Sequence, residues 1–146
     1  MPGKRSSCPI NTCLEIFGDR WSLLVIRDLM LSGFRSYKEL LSSEEGIATN
    51  ILADRLSKLE DAGIIASRRD PEDGRKLLYR LTTKGIDLAP ILREMARWST
   101  THEGAHPSPA TVELVKANRF VQEARRRSED ESLPPLLAPS PRRKAR

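Results

Sequence analysis

Apolar residues recur at helical spacing through the first third of the chain. Residues 14–30 predict two short helices divided near Gly18 and Asp19, and Asp19 has the side chain of an N-cap for the second. A Ser-Gly pair at 32–33 ends that helix. Ser36 then begins a third helix that we expect Gly46 to close.

The next segment is a strongly amphipathic helix over residues 47–63, stopped by Gly63. Its apolar stripe is Leu52, Leu56 and Leu59. Two short helices joined by a tight loop predict a helix-turn-helix. The outward face of its second helix is Thr49, Asn50, Ala53, Asp54 and Ser57.

Two short strands follow the helix-turn-helix. Ile65 on one side alternates inward with Leu77, Tyr79 and Leu81 on the other, and the run DPEDG supplies the turn between them. A helix, a helix-turn-helix and a hairpin in this order predict a winged helix. The expected fold class is therefore mainly α (α+β): a winged helix-turn-helix with a long dimerisation helix and a C-terminal helical extension.

Thr82 or Thr83 is expected to cap one long helix that reaches residues 98–102. Its apolar stripe needs a partner surface, because it projects from a small domain. The stripe is Leu88, Ile91, Leu92, Met95 and Trp98. Ser108-Pro109 begins a further helix with a heptad-like seam at Ala110, Leu114, Ala117, Val121 and Ala124.

These patterns divide the chain into four segments. They are an N-terminal arm (1–13), the winged domain with its dimerisation helix (14–104), a helical extension (105–127) and a Pro-rich, charged tail expected to be disordered (128–146). Whether the extension packs within one subunit or between subunits stays open.

Charge changes the picture only locally. The formal net charge is +5, but residues 1–104 hold 16 Lys/Arg against 15 Asp/Glu, so most of the excess lies in the tail. The tail could add non-specific DNA affinity or only solubility. No apolar leader or long apolar run is present, so we expect a cytoplasmic protein without a membrane partner and with free thiols.

The second helix of the helix-turn-helix has the right size for the DNA major groove. On its outward face, Asn50 could read adenine or belong to an ordinary solvated surface. Asp54 could accept a hydrogen bond from cytosine or orient Arg55 or Lys58. The predicted DNA-binding residues are this outward face, Ser36 and four hairpin cations, Arg68, Arg69, Arg75 and Lys76.

Residues 102–106 read HEGAH, which matches the zinc-protease pattern H-E-x-x-H. That reading needs one rigid helix carrying His102 and His106, with Glu103 as the general base and a third ligand from elsewhere. Gly104 interrupts the motif and Pro107 follows it, as at the end of a helix. We therefore interpret the match as an accident and predict no metal, no cofactor and no catalytic residue.

The motifs together resemble those of HxlR-type bacterial transcriptional regulators, relatives of the MarR repressors. The resemblance covers about residues 8–102. It rests on Cys8-Pro9, on GDRW at 18–21, on YKEL at 37–40 and on YRLT at 79–82 with Gly85. The chain departs from the family at Ala48, which cannot cap a helix, so Thr49 or Asn50 would take over. The hairpin turn is closer to that of MarR proteins.

The resemblance implies a homodimer on a palindromic operator, formed through the 83–102 helix and the N-terminal segment. It also implies that Cys8 senses oxidants or electrophiles, with Lys4 and Arg5 nearby to stabilise a thiolate. The alternative is a plain small residue in a flexible arm. Cys13 is expected in the core.

We therefore predict a sequence-specific DNA-binding regulator, a repressor rather than an activator, that binds double-stranded DNA and itself. An oxidant or small-molecule effector is a further expected partner. Two other hypotheses are a winged-helix protein-interaction module that uses the 110–124 seam, and a zinc hydrolase. The first of these predicts no DNA affinity even at low salt, and the second predicts stoichiometric metal.

Overall fold

The computed structural model describes residues 5–116. Seven α-helices and one hairpin lie within that range. The first helices are α1 (Pro9–Phe17), α2 (Ser22–Arg27), α3 (Tyr37–Leu41) and α4 (Thr49–Asp61). After α4 come β1 (Ile65–Arg69), β2 (Leu77–Leu81), α5 (Thr83–Ile86), α6 (Ala89–His102) and α7 (Pro109–Lys116). This order is the predicted winged helix-turn-helix.

Helix α2 continues into a π-helical turn over Asp28–Ser32. Gly33 then adopts a φ of 68°, which ends the helix as the sequence predicts. Asp19 accepts hydrogen bonds from the backbone N–H groups of Trp21 (2.8 Å) and Ser22 (2.9 Å), so it caps the start of α2. The predicted division near Gly18 and Asp19 is confirmed, but α1 begins at Pro9, within the segment that was expected to be an N-terminal arm.

The core forms where α2, α4 and the hairpin meet. Its buried side chains come from α2 to α7, from the π turn and from both strands, and the largest fully buried ones are Ile26, Met30, Leu40, Leu52, Leu59, Ile64 and Ile65. Leu114 of α7 is buried in the same cluster, and α7 packs on α6 and on the π turn. The described start of the C-terminal extension therefore packs within its own subunit, while seam positions 117, 121 and 124 lie outside the described residues.

Three expected boundaries are wrong in detail. The single helix predicted over 83–102 is broken into α5 and α6, because Pro90 has no N–H to donate to the preceding turn. Helix α3 ends at Leu41, and residues 42–46 form a separate turn that Gly46 closes with a φ of 70°. Helix α4 has Ala48 at its N-cap with no side-chain cap, so neither Thr49 nor Asn50 takes over.

The hairpin pairs Ile65 with Leu81 and Arg69 with Leu77 in antiparallel register. Ile65 and Leu81 are buried, as predicted, and Tyr79 is half-buried. Leu77 is 40% exposed, against the expectation that it faces inward. It lies at the outer end of the hairpin opposite Arg69, beyond the reach of the core.

Candidate nucleic-acid interface

The helix-turn-helix is fixed at its entrance by a capping box. The Ser36 hydroxyl accepts from the Glu39 N–H (3.2 Å), and the Glu39 carboxylate accepts from the Ser36 N–H (3.0 Å). Tyr37 Oη donates to the Thr49 carbonyl at 2.7 Å, which joins α3 to the first residue of α4. Ser36, predicted as a DNA contact, is thus engaged as a helix cap in the free protein.

All five predicted outward residues of α4 are exposed, and they extend from Thr49 to Ser57 along one side of the helix. Leu52, Leu56 and Leu59 lie buried on the other side. The side chains able to read base edges therefore begin at the N-terminal end of α4, where a helix lying in the major groove makes its base contacts.

Asp54 pairs with cations of its own helix. Its carboxylate is 3.0 Å from Lys58 Nζ and 3.4 Å from Arg55 Nη2. In the free protein, Asp54 is therefore placed to orient Arg55 and Lys58, which is one of its two predicted roles. A carboxylate on this face would repel phosphate, and these ion pairs moderate that repulsion.

Arg55 links α4 to the start of α2, a contact that no local sequence pattern predicts. Its Nη1 lies 3.5 Å from Asp19 Oδ1, and its buried Nε has no hydrogen-bond partner. Burial acts to raise the pKa of Asp19, but hydrogen bonds from Ser22 and Trp21, with the charge of Arg55, lower it overall. Asp19 therefore stays ionised as both a helix cap and an ion-pair partner.

The wing, which we define as residues 65–81, is tied to the helix-turn-helix on two sides. The Tyr79 N–H donates to the Arg35 carbonyl at 2.7 Å, just before α3. Glu60, near the end of α4, accepts from the Ser67 N–H (3.0 Å) and hydroxyl (2.6 Å). Helix α4, which is the predicted recognition helix, and the wing are therefore joined by direct hydrogen bonds.

The four wing cations are placed differently from one another. Arg68 is half-buried within β1, and Arg69 donates from Nη1 to the Gly74 carbonyl at 2.7 Å. The Arg75 side chain is 92% exposed, with its Nε 3.3 Å from Asp73, and Lys76 is also exposed. Arg75 thus pairs with an acidic residue of its own turn, and its guanidinium is open to solvent.

A second ion-pair network lies behind the helix-turn-helix, and the sequence did not reveal it. Arg27 Nη1 and Nη2 contact the two carboxylate oxygens of Glu45 at 2.6 and 2.9 Å. Arg27 Nε and Nη2 also donate to Asp28 Oδ1 at 3.0 and 2.8 Å. Ser43 joins through its hydroxyl, which donates to Glu45 at 2.8 Å. Residues 27 and 45 are too far apart in sequence for any local pattern to pair them.

The pKa values of the two carboxylates of this network are shifted in opposite directions. The hydrogen bonds from Arg27 lower the pKa of Glu45 to about 2, and those from Ser43 contribute. Burial raises the pKa of Asp28 despite the adjacent guanidinium. The hydrogen bond to Glu45 raises the pKa of Arg27, so the cation is permanent.

The predicted dimer residues divide into two groups. Leu88, Ile91 and Leu92 are half-buried within their own subunit. Met95 is 51% exposed and Trp98 is 60% exposed, further along α6. Three large apolar side chains of α1 are exposed as well: Ile10, Leu14 and Ile16. The exposed apolar side chains of the predicted interface thus lie on the second half of α6 and on α1.

Cys8 is exposed at the N-cap position of α1, and Cys13 is half-buried within that helix. Both are free thiols. Arg5, expected near the Cys8 thiol, instead pairs with the Glu15 carboxylate. Lys4 lies outside the described residues.

The HEGAH motif does not lie on one continuous helix. His102 is the last residue of α6, Gly104 adopts a φ of 66°, and His106 follows outside the helix. Within residues 5–116, no group of three or more His, Cys, Asp or Glu side chains could hold a metal ion. In the same range, no helix is both long enough and apolar enough to cross a bilayer.

Comparison with known proteins gives a consistent result. The family described as HxlR-like helix-turn-helix matches residues 16–107. The transcriptional regulator YodB of Bacillus subtilis (strain 168) is 34% identical over 93 residues, which cover 63% of this chain and 82% of YodB.

Solved structures agree with the sequence match. The crystal structure of PA1607 has a TM-score of 0.62 at 36% identity, covering 73% of this chain and 70% of PA1607. The reduced form of YodB has a TM-score of 0.56 at 30% identity, covering 66% of this chain and 95% of YodB. The quinone-bound form of YodB has a TM-score of 0.52 at 30% identity, covering 64% of this chain and 98% of YodB. The chain therefore belongs to the HxlR-like helix-turn-helix family and is a DNA-binding transcriptional regulator, not an enzyme.

Proposed function

We propose that the protein is a repressor that binds a palindromic operator as a homodimer. The observation that carries this proposal is the exposed polar face of α4, from Thr49 to Ser57, joined by hydrogen bonds to a wing bearing Arg75 and Lys76. In a winged helix that binds DNA, such a helix lies in the major groove and the cations beside it meet phosphates or the minor groove.

The proposed residue roles follow from exposure. Asn50 reads a base edge, Thr49 contacts a base or a phosphate, and Arg75 contacts phosphate. The remaining predicted contacts are assigned to the edge of the same interface: Ser36, Ala53, Asp54, Ser57, Arg68, Arg69 and Lys76.

Fluorescence anisotropy with DNA from beside the protein's own gene, compared with a shuffled duplex, tests this function. We expect tight binding that prefers the first duplex and weakens steeply with salt. Equal, weak binding to both duplexes would contradict the proposal and direct attention to protein partners. A repressor further requires that bound protein lowers transcription from that duplex in vitro.

The homodimer is proposed to form through α6 and α1. Exposed Met95 and Trp98 on one helix, with Ile10 and Leu14 on another, favour burial against a second copy. In a two-fold dimer the recognition helices would lie about 34 Å apart, which predicts half-sites one helical turn apart. Analytical ultracentrifugation of wild type and Met95→Glu tests this. A dimeric Met95→Glu variant would place the interface elsewhere.

An oxidant or electrophile is the proposed effector, with Cys8 as the sensor. The exposed thiol at the start of α1 supports this, as does the similarity to YodB, which has been solved in quinone-bound form. We expect diamide or a quinone to lower operator affinity of wild type and to leave Cys8→Ser unaffected. An equal loss in Cys8→Ser and a lost response in Cys13→Ser would transfer the role to Cys13.

A further inference from the structure

The turn between α3 and α4 is connected to the core by side chains that are not among the predicted DNA contacts. The turn consists of residues 42–46 and lies just before α4. The Glu45 carboxylate of this turn contacts the Arg27 guanidinium, as does the Ser43 hydroxyl. Both oxygens of Glu45 are engaged, so the contact is a two-pronged pair with defined geometry. A pair of this kind fixes direction as well as distance.

Arg27 is itself anchored. Its Nε and Nη2 donate to Asp28, whose side chain is only 5% exposed at the start of the π turn. Asp28 lies in a shallow cavity lined by Trp21, Leu40 and Ile47 together with Glu45. The guanidinium therefore connects the turn to a buried point of the core.

A partly buried ion pair of this kind contributes little to net stability, because desolvation of the charges offsets their attraction. Its better attested use is to select one arrangement of packed elements over others. Here the ion pair fixes the position of residues 45–49, a segment that contains buried Ile47 and ends at Thr49, the first residue of α4. The Tyr37 hydroxyl holds the carbonyl of that same Thr49 from the other side.

We propose that Arg27 and Glu45 are positioning residues that set the N-terminal end of α4 for base reading. Neither residue needs to touch DNA for this role. When the pair is lost, the turn is left with the single-atom contact of the Ser43 hydroxyl to Arg27 (3.2 Å) and Asp28, which does not fix its direction. Thr49 and Asn50 then lose their fixed placement relative to the wing. This inference rests on the proposed operator-binding function.

The expected consequence is a loss of discrimination and not of general DNA affinity. Base contacts depend on placement within about one ångström, whereas phosphate contacts from flexible cations tolerate small shifts. The ratio of operator affinity to shuffled-duplex affinity should therefore fall, while the salt dependence of binding stays as in wild type.

Glu45→Gln tests the proposal, and Glu44→Gln is its matched control. Both variants remove one carboxylate from adjacent exposed positions of the same turn, so they change long-range attraction to DNA equally. We expect Glu45→Gln to lower the affinity ratio about tenfold, the size of one lost base contact, and Glu44→Gln to leave it within about twofold. Arg27→Lys keeps the charge but cannot form the two-pronged contact, and should behave like Glu45→Gln.

The proposal and the underlying function fail in different ways. If wild type discriminates between the duplexes and folded Glu45→Gln matches Glu44→Gln, the positioning role is overturned and operator binding stands. If Arg27→Gln, which removes the charge, lowers the salt slope by about one, Arg27 contacts phosphate directly, which also overturns the positioning role. If wild type itself shows no preference between the duplexes, operator binding fails, and the positioning role fails with it. Circular dichroism at the assay temperature confirms that each variant is folded.

Discussion

The helix-turn-helix and the tip of the wing both face outward, but they are held in different ways. Residues 36–49 are tied by a capping box, by the Tyr37 hydroxyl and by the Arg27 guanidinium, which reaches a buried carboxylate. At the wing tip, residues 70–76, hydrogen bonds join the turn to itself and to Arg69: Glu72 N–H to Asp70, Lys76 N–H to Asp73, and Arg69 to Gly74. The first region is tied to the core by several side chains, whereas the second is held by hydrogen bonds of its own turn.

The first way to sharpen this comparison uses one leucine from each region. Leu52 of α4 is fully buried, and Leu77 at the outer end of the hairpin is half-exposed. Leu52→Ala should destabilise the protein by about 2–5 kcal/mol, because it leaves a cavity in the core. Leu77→Ala should change stability by no more than about 0.5 kcal/mol. Urea unfolding measures both, and equal losses would show that the hairpin end is as firmly packed as α4.

The second comparison concerns what each region contributes to DNA binding. Asn50→Ala should cost roughly 1–3 kcal/mol on the operator and little on a shuffled duplex, because a base contact is lost. Arg75→Ala should weaken binding to both duplexes alike and reduce the salt slope by about one. Anisotropy titrations at several salt concentrations separate the two patterns. Lys58→Ala, which removes a cation from α4 outside the predicted contact set, is the control for charge alone.

The reverse result would be equally informative. If Arg75→Ala lowers the preference for the operator and Asn50→Ala does not, then the wing reads sequence and the helix serves for attachment. The contrast in how the two regions are held would then have to be reinterpreted.

The same contrast explains what the sequence could and could not predict. The caps at Asp19 and Ser36, the α4 stripe and the two strands around their turn follow from patterns within a few residues, and each is confirmed. Contacts between distant segments follow from packing geometry, which no local pattern encodes. The pairs Arg27–Glu45 and Asp19–Arg55 are of this second kind.

The wrong boundaries have local causes, but the apolar periodicity was the stronger signal and favoured a different structure. A continuous apolar stripe favoured one helix over 83–102, yet Pro90 divides it. Alternation placed Leu77 inward, although the core does not extend to the end of the hairpin. Periodicity predicts the direction in which a side chain points, but not whether anything is there to cover it.

The smallest expected effect is the pH dependence of the unfolding free energy that is lost when Glu45 is replaced. The pKa of Glu45 is lowered in the folded protein from 4.5 to about 2, so its charge favours folding. A carboxylate with a lowered folded pKa contributes fully above pH 4.5, and the contribution is lost as the pH falls towards 2. Glu45→Gln carries no charge at any pH, so its deficit in unfolding free energy against wild type should be greatest above pH 4.5 and should shrink towards pH 2.

Asp28 does not reverse this expectation. Its pKa is raised by burial, so its ionisation opposes folding at high pH, but it is present in both proteins and its contribution largely cancels. Urea unfolding of wild type, Glu45→Gln and Glu44→Gln across this pH range measures the difference. A deficit of Glu45→Gln that is constant with pH would mean that the Arg27 contact does not depend on the charge of Glu45. The hold on the recognition helix would then come from the apolar packing of Ile47 and from the Tyr37 hydrogen bond, and the two outward regions would differ less than their contacts indicate.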